Sequence, residues 1–145
     1  MTSRTPRPRG LLGSRRRRGS AALEFGLLLP LLATLAMATT DWGLAIEQRI
    51  RLQTAARAGA EVAIVRPSDT AGITAAVREA APDLTSMSVA ASAVWCECNG
   101  TAIDCSASCF GGLARFMSIT ATHPYSRISP LGPTSVAGRV TLRLQ

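Results

Sequence analysis

Four cysteines in the second half of the chain are the residues best suited to chemistry. They form a C-x-C-x6-C-x3-C pattern within 14 residues, at Cys96, Cys98, Cys105 and Cys109. Four cysteines allow three disulfide pairings, and the spacing does not choose among them. A zinc site with four thiolate ligands is the alternative, but the usual paired C-x2-C spacing is missing. Two disulfides are favoured over zinc if this segment lies outside the cytoplasm, where disulfides persist.

Groups that could act as catalysts are few in the rest of the sequence. His123 is the only histidine, and Pro124 follows it directly, which is more typical of a hydrogen-bonded loop histidine than of a general base. The sequence contains no glycine-rich phosphate loop, no metal-binding histidine pair and no serine-nucleophile motif. We therefore predict that the protein is not an enzyme and uses no metal or other cofactor.

The charges are distributed unevenly along the chain. All sixteen basic residues are arginines, and the formal net charge is +7. Seven of these arginines precede Ser20, whereas all nine acidic residues lie at Glu24 or later. The net charge therefore belongs to a tail and not to a folded domain. Aromatic residues make up only 4% of the chain, so a nucleic-acid-binding fold that stacks bases on aromatic side chains is not expected.

An apolar segment follows the arginine tail. From Ser20 to Thr40 the only charged residue is Glu24, and these 21 residues would form a helix of about 31 Å, close to the thickness of a bilayer's hydrocarbon core. Asp41 follows the segment, and an arginine cluster precedes it, at Arg15, Arg16, Arg17 and Arg18. Because positive charge collects on the cytoplasmic side of a membrane span, the N-terminus is predicted to lie inside.

These observations predict a single-pass protein of the cytoplasmic membrane. Residues 1–19 form a basic cytoplasmic leader, residues 20–41 a transmembrane helix in contact with lipid, and residues 42–145 an extracytoplasmic domain. A conventional secretory signal is the competing interpretation, since Ala36-Met37-Ala38 is an A-x-A cleavage pattern. The apolar run exceeds the usual length of about 7–15 residues for such a signal and contains an acid, which argues against it.

Two residues of the apolar segment are unusual for a simple anchor. Glu24 places a carboxylate in the span, which costs about 2–3 kcal/mol or more at the bilayer centre. Snorkelling of this side chain to the cytoplasmic interface is the simpler explanation. Pro30 has no backbone N–H, so we expect it to kink or locally unwind the helix.

The residues at the start of this segment form an Arg-Gly-x4-Glu-Phe-x4-Pro string. It contains Arg18, Gly19, Glu24, Phe25 and Pro30. This string resembles the type IV prepilin superfamily and, most closely, the TadE-like proteins, which are pseudopilins of tight-adherence (Flp) pilus systems. The resemblance is strong only over residues 15–30.

The resemblance implies a structural function, that of a minor pseudopilin-like subunit in the assembly of a tight-adherence pilus. A prepilin peptidase would cut between Gly19 and Ser20, and Glu24 would pair with the new amino terminus of a neighbouring subunit. Phe25 and Pro30 belong to the same assembly segment. The implied partners are the peptidase, other pilins and pseudopilins, and the pilus assembly platform. The alternative function is a conventionally exported or membrane-anchored cysteine-rich binding domain, and a zinc-binding membrane protein is a third.

Two helices are predicted from the periodicity after the span. Small residues recur at helical spacing from Ala45 to Ala63, so the long helix should continue to Pro67 and bury this stripe in a core. Asp69 is predicted to cap a second helix over Thr70–Ala81.

Strands are predicted after the second helix, where the period changes to two. The predicted strands are Met87–Trp95, Phe116–Thr122 and Arg139–Leu144, and His123-Pro124 and Pro130–Pro133 are predicted as loops. The predicted fold class is α+β: a long N-terminal transmembrane helix that continues into a small domain, similar to a pilin, with a helix on an antiparallel sheet and a cysteine-rich loop.

Overall fold

The computed structural model describes residues 18–144, with side chains from Ala22 onward, as two helices and five strands. In chain order these are α1 (Arg18–Val65), α2 (Thr70–Ala80), β1 (Ser88–Ala91), β2 (Trp95–Cys98), β3 (Thr101–Ile103), β4 (Leu113–Pro124) and β5 (Ser135–Leu144). The chain divides into two compact units, with the boundary between Met37 and Ala38. The predicted α+β class is confirmed, with its long apolar helix, its antiparallel sheet and its cysteine loop.

Large apolar side chains cover the first part of α1, and they are exposed. They are Leu23, Phe25, Leu27, Leu28, Leu29, Leu31, Leu32, Leu35 and Met37. At 3.6 residues per turn these positions point to all sides of the helix, a pattern typical of a buried or membrane-spanning helix. Within the described residues, α1 is the helix long and apolar enough to cross a membrane. The helix continues through Pro30 without a break, so of the two predicted effects local unwinding does not occur, and the kink stays a prediction.

The second part of α1 packs through small residues. Ala45, Leu52, Ala56, Gly59 and Ala63 are all buried. This confirms the predicted stripe and shows that it faces the core of the folded unit. The helix ends at Val65, as expected from the proline two residues later.

Helix α2 begins where the sequence predicts. The Asp69 carboxylate accepts a hydrogen bond from the backbone N–H of Gly72 at 2.9 Å, which satisfies one of the free donors of the first turn. Ile73 and Val77 are fully buried against the core. Gly59 of α1 permits this contact, because a β-carbon at that position would lie 2.5 Å from Val77 Cγ2.

Strand β4 is the centre of the antiparallel sheet. β5 pairs along one edge of β4, β1 and β2 pair one after the other along its opposite edge, and β3 pairs with β2. β3 was not predicted, and β4 and β5 are longer than predicted. His123-Pro124 was wrongly predicted as loop, because these residues pair with Val136 and Ser135 of β5. A local sequence pattern does not reveal such a partner strand.

The strand predicted to end at Trp95 is interrupted. Ala91 pairs with Ile119, but Trp95 pairs with Phe116, so three residues between β1 and β2 stand opposite only two residues of β4. Such an extra residue is a bulge, and it reverses which side chains face the core. For this reason Cys96, and not Trp95, is the next buried residue.

Strand β5 packs closely on α1. Leu142 is buried and its neighbour Arg143 is exposed, which confirms the predicted alternation of this strand. At Gly138 the strand approaches the helix backbone, since a β-carbon there would lie 2.3 Å from the Gln53 nitrogen and 2.4 Å from the Leu52 carbonyl carbon. The glycine thus sets the distance between helix and sheet.

Candidate functional site

The residues that the sequence assigns to processing lie at the start of α1. The helix begins at Arg18, so Gly19 and Ser20 belong to its first turn. The remaining members of the predicted topology signal lie outside the described residues: Arg15, Arg16 and Arg17. The cut between Gly19 and Ser20 and the cytoplasmic side of the N-terminus therefore stay predictions.

The residues assigned to assembly follow on the same helix. Glu24 and Pro30 are exposed, and Phe25 is 60% exposed. Glu24 is the only charged residue between Ser20 and Asp41, and most of the other residues of this segment are apolar. A carboxylate in such surroundings is best accommodated by a cationic group. The arrangement is suited to packing against other helices and to holding a positive charge, not to catalysis.

A second cluster, which the sequence analysis did not find, is built around Asp41. Its side chain is fully buried. The Oδ1 atom accepts a hydrogen bond from the backbone N–H of Ile128 at 2.8 Å, and Oδ2 accepts one from the N–H of Ser129 at 2.6 Å. The Tyr125 hydroxyl donates to the backbone carbonyl of Asp41 at 3.0 Å. Asp41 thereby holds the β4–β5 loop, residues 125–134, against the start of the folded unit.

The electrostatics of this cluster are consistent with a buried carboxylate. Hydrogen bonds from two backbone N–H groups stabilise the charge of Asp41, which would otherwise be costly to bury. Burial raises the pKa of Tyr125, and the negative charge of Asp41 adds to the effect. The hydroxyl therefore stays protonated at neutral pH and remains a donor. Position 132 must be a glycine, because a β-carbon on Gly132 would lie 2.9 Å from Asp41 Oδ2.

In the sequence, Asp41 stands out only as the first charged residue after the apolar segment. The residues it binds are 87 and 88 positions away, so no local spacing links them. The one available signal was an acid next to a membrane span, which needs partners if it is not solvated.

The four predicted cysteines form two disulfides. Cys96 pairs with Cys105 and Cys98 with Cys109, with Cα–Cα distances of 5.1 and 5.7 Å. No free cysteine remains among the described residues, so the zinc alternative is wrong. The bridges join β2 to the segment between β3 and β4. Phe110, next to the second bridge, is 99% exposed.

His123 does not resemble a catalytic residue. Its Nε2 atom lies 3.0 Å from Ser86 Oγ, which confirms the predicted hydrogen bond, although the residue lies on β4 and not in a loop. Its Nδ1 atom is buried without a partner. Among the described residues, no group of three or more His, Cys, Asp or Glu side chains is placed to hold a metal ion.

A groove in the folded unit lies between α1 and α2. It has a volume of about 510 Å³ and is lined by alanine and valine side chains together with Glu61, Arg66 and Glu79. It contains no histidine, cysteine or serine that could act as a nucleophile. Neither this groove nor the Asp41 cluster forms a catalytic arrangement.

Comparison with known proteins bears on the start of α1. Residues 19–61 match the family model described as TadE-like protein. The match begins at Gly19 and includes Glu24, Phe25 and Pro30. No curated protein and no solved structure gives a significant match to the chain. The resemblance to the TadE-like family is confirmed over this segment.

Proposed function

We propose that this protein is a minor pseudopilin-like subunit that works in the assembly of a tight-adherence pilus. The observation that carries the proposal is the family match over residues 19–61. That segment begins with a stretch of α1 that is apolar on all sides and ends where α1 packs in a small α+β domain. A helix of this kind is suited to lateral packing in a membrane, and the domain has no catalytic arrangement among its described residues.

Processing by a prepilin peptidase prepares the helix for assembly in this proposal. A cut between Gly19 and Ser20 removes the leader with its seven arginines and leaves the apolar segment in place. It also creates an amino terminus at Ser20. Glu24 lies four residues further, a helical rise of about 6 Å. The new amine and the carboxylate thus lie at similar depths in the membrane.

Pairing of these two charges gives the helix a direction and a register. A charge inside a membrane is tolerated when an opposite charge lies beside it. The amine of one subunit lies next to Glu24 of its neighbour at one axial offset only. The unprocessed chain lacks this amine, so it would be excluded from the assembly.

Replacement of Glu24 tests the proposal. The variants are expressed in cells of the source organism from which the native gene has been deleted. We expect Glu24→Gln to reduce the number of surface pili, because it removes the charge of the side chain. It keeps the size of that side chain. The matched control is Glu47→Gln, which removes an exposed carboxylate that pairs with Arg51 on the same helix. Pili are counted by electron microscopy, and immunoblots verify equal amounts of both variants in membranes.

Two outcomes would contradict the proposal. If cells without the protein assemble normal pili, the protein has no function in the pilus. If Glu24→Gln and Glu47→Gln give the same pilus number as the wild type, the charge pair is not part of the mechanism.

One observation favours the alternative function, a conventionally exported cysteine-rich binding domain. The folded unit begins at Ala38, the last residue of the A-x-A pattern. A cut after Ala38 would release that unit with both disulfides and with Asp41 still in its chain. The alternative predicts a mature protein that begins at Thr39 and does not remain in the membrane.

A further inference from the structure

We propose that the β4–β5 loop contacts lipid at the outer surface of the membrane that α1 spans. This inference rests on the membrane span in the proposed function and adds a second membrane contact to it. Two large apolar side chains of the loop, Ile128 and Leu131, are each 64% exposed. They lie on the same short loop, on either side of an exposed proline, Pro130.

The attachment of the loop to Asp41 sets its depth. Asp41 is the residue that directly follows the apolar segment, so it lies where the hydrocarbon core is predicted to end. The backbone nitrogens of Ile128 and Ser129 lie 2.8 and 2.6 Å from its carboxylate. The loop is therefore bound to the residue at which the hydrocarbon core is predicted to end. Trp42, the next residue of α1, is 53% exposed and has the side chain most typical of that interface.

Several polar backbone groups of the loop are satisfied from within the protein. The N–H of Gly132 donates to the Ser129 carbonyl at 3.3 Å. The Arg127 guanidinium donates to the carbonyls of Pro130 and Gly132 at 3.3 and 3.5 Å. Proline contributes no N–H that would need a partner. Backbone that enters a region poor in water must be satisfied in this way.

The side chains that the loop presents outward also suit a lipid surface. Ile128 and Leu131 are apolar and can enter the edge of the hydrocarbon region. Arg127 is exposed, and a long cationic side chain can reach the lipid headgroups while its stem lies along apolar surface. A protein partner is the other conceivable occupant of this patch. Lipid is favoured because the loop is bound to Asp41, the residue that directly follows the apolar segment.

Tryptophan fluorescence in vesicles tests the contact. The full chain is reconstituted in phosphatidylcholine and phosphatidylglycerol vesicles whose acyl chains carry bromine near the headgroup end. The native tryptophans are Trp42 and Trp95, and both are replaced by phenylalanine. Leu131→Trp in this background reports on the loop. We expect its emission to be quenched strongly by brominated lipid and shifted to shorter wavelength.

Two further proteins with a single tryptophan serve as controls. Phe110→Trp in the same background reports on the cysteine loop at the opposite end of β4, a strand of 12 residues that spans about 40 Å. We expect no quenching there. A protein that keeps only Trp42 reports whether the span is inserted, and we expect it to be quenched.

The outcomes separate the loop contact from the membrane span. Quenching at Trp42 without quenching at Leu131→Trp overturns the lipid contact and leaves the span intact. A shift of the Leu131→Trp emission to shorter wavelength without quenching also overturns it, because the patch is then covered by a second copy of this chain, the only protein in the vesicles. No quenching at Trp42 overturns the span and the inference together. If Leu131→Trp prevents folding, Ile128→Trp gives the same readout, because that residue is equally exposed.

Discussion

The contact between β5 and α1 gives the sharpest test of the fold. Gly138 has no side chain, and its α-carbon lies directly against the helix. A β-carbon at this position would lie 2.3 Å from the Gln53 nitrogen and 2.4 Å from the Leu52 carbonyl carbon. Both atoms belong to the backbone of α1, so a change of side-chain rotamer cannot relieve the overlap. Gly138→Ala must therefore move the strand away from the helix.

The expected size of the effect follows from overpacking in other cores. Extra methyl groups in packed positions cost about 1–3 kcal/mol, and a clash with backbone belongs at the upper end of this range. Separation of β5 from α1 also loosens the buried stripe around Leu52, which is fully buried. For a unit of this size, about 3 kcal/mol lowers the midpoint of thermal unfolding by roughly 10 °C.

Gly43→Ala is the matched control for this substitution. Gly43 is exposed on α1, and a β-carbon there would have no atom within 4 Å. Alanine is a better helix former than glycine, so we expect a gain of about 0.5–1 kcal/mol. Circular dichroism of the full chain in detergent measures both changes. An unchanged or raised midpoint for Gly138→Ala would refute the close packing of strand and helix.

Two further predictions concern the contacts that hold the β4–β5 loop and the cysteine loop in place. Asp41→Asn removes the charge that binds two backbone N–H groups, so it should lower the midpoint of thermal unfolding. The control is Asp83→Asn, which removes an ion pair between the half-exposed side chains of Asp83 and Arg51 and should change the midpoint little. Equal midpoints for the two variants would contradict the structural role of the buried Asp41 carboxylate. Replacing both Cys98 and Cys109 by serine should lower the free energy of unfolding by about 2–4 kcal/mol. The single substitution Cys98→Ser tests the pairing itself: alkylation and peptide mapping should find the free thiol at Cys109, and a free thiol at Cys96 or Cys105 would contradict the observed pairing.

The helical part of the fold was predictable from the sequence. The stripe from Ala45 to Ala63 combines helical spacing with small side chains, and both features are local. Asp69 caps α2 as predicted, because a helix cap depends on residues only a few positions apart. Arg139–Leu144 alternates strictly between apolar and polar residues, so the end of β5 was predictable as well.

The rest of the sheet depended on information that a local pattern does not contain. The bulge before Trp95 exists because β1 and β2 follow the same edge of β4 in different registers. Its extra residue cannot be seen without the partner strand. The cysteine pairing is of the same kind, since the spacing of the four residues permits three pairings.

The functional residues divide along the same line. Gly19, Glu24 and Pro30 could be proposed from the sequence because they lie on a short string with fixed spacing, and the family match covers them; their functions stay predictions. Asp41 was missed because its partners, Ile128 and Ser129, come from the other end of the folded unit's sequence. A buried carboxylate of this kind can be recognised only when the loop that covers it is placed.

The mature amino terminus tests the central claim most directly. The protein is purified from membranes of cells that contain their own prepilin peptidase, and its intact mass and N-terminal sequence are determined. We predict that the wild-type chain begins at Ser20 and that the Gly19→Ala variant stays uncut. The Gly26→Ala variant should still be cut, because a β-carbon at position 26 has open space. A chain that begins at Thr39, or a wild-type chain that keeps its leader, would contradict the assignment as a pseudopilin-like subunit.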